Sequence, residues 1–129
     1  MSLETFTHAY IEAMLFSSND ESDESGGDPL DKNYSEDDLA PSARAKIDAD
    51  CAAFYEAHSH LFTGEHCRYR GCSVDEYAGH DFWLTQNGHG CGFWDGDWSK
   101  EADAVLTPAS KAFGEKYPIV GDDGLIYLE

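Results

Sequence analysis

The sequence predicts an α+β fold in which two N-terminal helices and a short third helix pack on a small antiparallel sheet of two β-hairpins. Three observations carry that prediction. Apolar residues recur at helical spacing from Leu3 to Ser17 and again after Pro41. Two aromatic runs flank Asn87-Gly88-His89-Gly90, the composition of a tight hairpin turn. A second turn, Gly121-Asp122-Asp123-Gly124, separates the apolar runs between Tyr117 and Leu128. Helices and local hairpins that follow one another without βαβ alternation define the α+β class.

The first helix is expected over Leu3 to Ser17, with Leu3, Phe6, Tyr10, Ala13 and Met14 on one face. Asn19 to Asp38 follows, with nine acidic residues, one lysine, two glycines and a proline. Such a segment buries little, so residues 19–40 read as an acidic, mobile loop within a single domain spanning 1–129. Tyr34 and Leu39 are the residues able to pin its distal end. Pro41 suits the first position of a second helix, whose apolar stripe runs through Ile47, Cys51, Phe54, Tyr55, His58, Leu61 and Phe62. Glu65 to Gly79 has no clean period and reads as a loop.

Asp81 to Asp97 then reads as the aromatic hairpin. Alternation puts Phe82, Leu84, Cys91 and Phe93 on one face, with Trp83, Thr85, Gly92 and Trp94 on the other. Thr107-Pro108 looks like a cap and first-turn proline opening a short helix to Lys116. One core is expected to gather Ile47, Cys51, Phe54, Phe82, Leu84, Phe93, Ile119 and Ile126.

The run around this hairpin, Ala78-Gly-His-Asp-Phe-Trp-Leu-Thr85, then Asn87-Gly-His-Gly90, then Gly92-Phe-Trp-Asp95, resembles a signature of small tailed-bacteriophage proteins without an assigned reaction. The first helix, Asp48 to Phe54 and Val120 to Tyr127 extend the resemblance over most of the chain. It implies a phage origin and, with no leader or membrane-spanning run in the sequence, the host cytoplasm. Cys67, Arg68 and Cys72 fall outside the pattern.

Charge constrains the partner. There are 26 acidic and 8 basic side chains in 129 residues, a formal net charge of −18. Nucleic-acid phosphates and anionic membranes repel such a chain, whereas basic surfaces attract it. Solubility alone is an equally weighted account of the same composition.

Four constellations bear chemistry. His58, His60, His66, Cys67 and Cys72 offer tetrahedral zinc ligands, but at a spacing matching no strong zinc signature, so a packed histidine and free thiols are favoured and no cofactor is expected. The four cysteines read as reduced thiols. His80, Asp81, His89 and Asp95 could supply a base and its orienter, with no nucleophile evident. Trp83, Trp94 and Trp98, close to Asp95 and Asp97, could form an acid-ringed aromatic anchor for a basic protein, unless a helix covers them.

The leading reading is an acidic phage protein that binds and inhibits or redirects a basic, nucleic-acid-handling host protein, an anti-defence role in which carboxylates mimic phosphates. The alternatives are a metal-dependent or His/Asp hydrolase-like enzyme on a small substrate, and a passive structural or virion-associated accessory.

Overall fold

In the computed structural model, which describes residues 2–20 and 27–129, the chain opens with helix α1 (Leu3–Ser17). Ser2 caps it by accepting the Thr5 N–H at 3.0 Å. Helix α2 (Pro41–His58) starts on Pro41 at its first turn and continues as a 3₁₀ turn, Ser59–Leu61. Helix α3 is Val74–Gln86 and helix α4 is Lys100–Lys111. Two short antiparallel pairs complete the fold. β1 (Asn19–Asp20) pairs with β2 (Asp28–Pro29), and β3 (Pro118–Val120) with β4 (Ile126–Leu128). The class is therefore α+β, with four helices and very little sheet among the described residues.

The aromatic hairpin is a correction. Residues 82–86 are helical because Ser73 caps α3, accepting the Glu76 N–H at 3.1 Å, with Asp75 and Glu76 in the favourable first turn. Asn87-Gly88 ends that helix rather than turning a hairpin. The His89 N–H reaches the Leu84 carbonyl at 3.0 Å and the Gly88 N–H the Thr85 carbonyl at 3.3 Å, with Gly88 at φ +71°. This is a Schellman cap, and it asks for the same left-handed glycine as a hairpin turn. The chain then loops back without pairing. The Phe93 N–H donates to Thr85 Oγ1 at 3.0 Å and drops the Phe93 ring into the core.

Thr107-Pro108 is a second correction, because Pro108 lies inside α4. Ser99 caps this helix, accepting the Ala102 N–H at 3.1 Å. The Gly121–Gly124 turn does join β3 to β4, as expected. β4 also touches the start of α2, where the Ala40 N–H donates to the Ile126 carbonyl at 2.8 Å.

The core is aromatic. Phe54 stacks on Phe82 with ring centroids 4.0 Å apart, and Phe6, Phe62 and Phe93 surround that pair. Ile47, Cys51, Phe54, Phe82, Leu84, Phe93 and Ile126 are all buried in it. Ile119 is not. It lies beside Tyr127 on the outer face of the terminal hairpin, 42% exposed. Cys91 also departs from its expected core face and is exposed, because the loop leaves the helix before reaching it.

Within the acidic segment, the expectation for residues 21–26 lies outside the described residues. Farther along, Leu39 is buried and Tyr34 packs against the core, while Leu30 is only 1% exposed and its N–H donates to the Ser18 carbonyl at 2.9 Å. Replacing Leu30 with alanine should lower stability by about 2–4 kcal/mol, measured by urea unfolding. A loss under ~0.5 kcal/mol would mean that this anchor contributes nothing.

Candidate functional site

Helices α1 and α3 run in the same direction, in contact along most of their length. The Ser2 N–H meets Asp75 at 2.8 Å, Tyr10 O–H donates to Gln86 Oε1 at 2.7 Å, and Trp83 Nε1–H donates to Ser17 Oγ at 2.8 Å. Gly79 permits the approach: a Cβ there would collide with the Phe6 carbonyl oxygen and lie 2.9 Å from the Ala9 Cβ. On the solvent side of this pair, the 3₁₀ turns at Leu30–Lys32 and Glu36–Asp38 form a facing wall. Between them lies a groove of about 630 Å³.

The groove has an apolar floor of Ile11, Leu15, Phe16 and Tyr34, with Phe16 half exposed. Its rim carries five carboxylates, Glu12, Asp31, Glu36, Asp37 and Glu76, and its lining includes neither lysine nor arginine. Two histidines complete it. His8 Nδ1 is 2.7 Å from Glu36 Oε1, and that hydrogen bond raises the imidazole above its ordinary range. Burial lowers His80 instead, outweighing Glu12 and Glu76. Arg44, behind the rim, bonds Glu36 at 2.7 Å and holds that carboxyl below its usual range.

The helical register sets this arrangement. His8 and Glu12 stand one turn apart on α1, and Glu76 and His80 one turn apart on α3. Ligand atoms of Glu12, Glu76 and His80 lie within 4.8 Å of one another.

Of the His/Asp candidates, His80 belongs to this groove and Asp81 does not. Asp81 points into the core, 3% exposed, accepting the Trp98 Nε1–H at 2.7 Å. Burial pushes its carboxyl up to about 7, opposed by that bond and reinforced by Asp95 and Asp97. The His89 N–H is spent in the helix cap, and Asp95 accepts the Gly92 N–H at 3.3 Å. Among the hydrogen bonds of the described residues, none joins two of these four side chains. Helical geometry separates neighbours His80 and Asp81 by about 100° around the axis.

The candidate zinc ligands are dispersed. His58 packs on Phe54 with centroids 4.8 Å apart, and His66 Nδ1 is 2.8 Å from Ser99 Oγ. Cys67 is buried, its backbone forming an isolated antiparallel β-bridge with that of Trp98, while His60 is exposed and Cys72 is half-buried. Among the described residues, the three-ligand cluster that does form is the Glu12-Glu76-His80 one.

The tryptophan surface is likewise corrected. Trp83 and Trp98 are core residues, covered because residues 74–86 are a helix rather than a strand. Trp94 alone of the three is exposed, at 46%, beside exposed Asp95; Asp97 accepts the Tyr77 O–H. Reasoning from sequence missed Glu12, Glu36 and Glu76. His8 and Glu12 are spaced i,i+4 on the helix expected from sequence, but the matching Glu76–His80 pair exists only once residues 74–86 are read as a helix, and Glu36 has no such signal.

Comparison with protein-family models, with curated proteins and with solved structures finds no match. Among the described residues, no helix is long and apolar enough to cross a membrane.

Proposed function

We propose that this chain is a phage-encoded interaction protein whose acidic groove takes a basic, partly apolar segment of a nucleic-acid-handling host protein. The observation that supports this most is the groove itself, an apolar floor under five carboxylates with neither lysine nor arginine in its lining. A lysine or arginine contributes an apolar stem and a cationic head, and the floor and rim match those two parts. Phe16 is the natural anchor, and the rim supplies attraction and register. Each exposed charge pair is worth only about 1 kcal/mol in water, so the rim governs encounter more than affinity. The net charge of −18 supports the choice of partner class, since surfaces that bind phosphates also attract carboxylates.

Capture from host lysate tests this with the native protein and with a variant carrying Asp31→Lys and Asp37→Lys, both exposed rim positions. The native chain should retain a partner at low salt, release it as salt screens charge beyond ~8 Å, and lose it to added DNA. The reversed variant should capture little of it. Equal capture by both proteins would remove the groove from the account. Binding indifferent to salt and DNA would remove charge mimicry.

A further inference from the structure

We propose that Glu12, Glu76 and His80 form a binding site for a divalent transition-metal ion, Zn²⁺ foremost, at one end of the groove. The claim rests on their geometry and is independent of any protein partner.

Three features point to an ion. First, the ligands come from two helices locked together. His80 Nε2 lies 3.9 Å from Glu12 Oε1, and all three donors are within 4.8 Å of one another. Around a zinc ion with bonds of about 2.0–2.2 Å, neighbouring ligands stand about 3.4 Å apart. Small rotations of the two glutamate side chains close that gap, while the Gly79 contact keeps their helices in place.

Second, the chemistry of the set is selective. One imidazole nitrogen with two carboxylates suits zinc and other first-row metals, whereas magnesium and calcium favour oxygen alone. The Phe16 ring packs edge-on to His80 at 6.3 Å and fixes one side of the imidazole.

Third, carboxylates are concentrated there without lysine or arginine. The adjoining hollow is lined by Glu4, Thr5, His8, Glu12 and Glu76, again with no lysine or arginine. His8 Nε2 stands 3.7 Å from the other oxygen of Glu12, where it can orient that carboxylate. Three protein ligands would leave a coordination position open toward the groove.

Isothermal titration of the reduced full-length chain with Zn²⁺, alongside Glu12→Gln, His80→Gln and the control Glu101→Gln, tests the site. The native chain and the control should bind one ion, and each ligand variant should weaken binding by at least about tenfold. Circular dichroism should show every variant folded, since Glu12 is exposed and His80 lies at the groove surface. Because free cysteines also take zinc, Co²⁺ spectra identify the donors. A cobalt complex without a sulfur charge-transfer band supports the Glu/His site. A strong sulfur band, no saturable binding, or full affinity in both ligand variants would overturn it. Asp31→Lys with Asp37→Lys leaves all three ligands intact, so loss of partner capture in that variant does not bear on the metal.

Discussion

Gly79→Ala is expected to destabilise the protein by on the order of 3 kcal/mol or more, despite alanine's better helix propensity. Propensity alone favours alanine by about 1 kcal/mol inside a helix. Sterics oppose it more strongly here. The added methyl would meet the Phe6 carbonyl oxygen, and that oxygen belongs to the α1 backbone and cannot swing aside. Relief requires α1 to shift off α3, which opens the packing of Phe6, Tyr10, Phe82 and Trp83. Gly90→Ala is the control, since a Cβ there meets nothing within 4 Å. It should change stability by no more than about 0.5 kcal/mol. A Gly79→Ala protein as stable as its parent in chemical denaturation would refute the close helix contact, and with it the rigid frame under the groove.

Asp81→Asn should stabilise the protein at pH 8 and do little at pH 4. The folded carboxyl is raised to about 7, above its unfolded value near 4. Stability from such a group is fully present below the unfolded value and is lost as pH rises through 7. At about 1.4 kcal/mol per pH unit, the span is on the order of 4 kcal/mol. Asparagine removes the charge and keeps an oxygen for the Trp98 N–H. Melting curves from pH 4 to 8 should therefore fall less steeply for the variant, with the two proteins converging in acid. The remaining carboxylates repel one another in both proteins, so the difference between them isolates Asp81. Parallel curves, or a variant less stable at pH 8, would contradict a buried carboxylate strained by ionisation.

Local capping chemistry made much of the fold legible. Pro41 and the Gly121–Gly124 turn mark their elements in sequence as they do in the structure. Asn87-Gly88 was ambiguous because a Schellman cap and a hairpin turn both need glycine at positive φ. Nor could amphipathicity decide, since every residue from Asp81 to Gln86 is buried. A helix buried on all sides shows no period to distinguish it from a strand. That one ambiguity governed the site. With residues 82–86 as a strand, the tryptophans form an outer face and Glu76 is a stray loop charge. With residues 74–86 as a helix, Trp83 enters the core and Glu76 aligns with His80 opposite Glu12. His80 was visible as a candidate by type, but Glu12 lies across the α1–α3 contact, which no local pattern encodes.

Amide NMR of the labelled full-length protein, titrated with a synthetic Lys/Arg-rich amphipathic peptide, tests the groove most directly. The account predicts saturable shift changes at His8, Ile11, Glu12, Phe16, Tyr34, Asp37 and Glu76, weakening with salt and lost in the Asp31→Lys/Asp37→Lys variant. Changes centred on Trp94 to Asp97, or spread thinly over all the acidic surface, would contradict it.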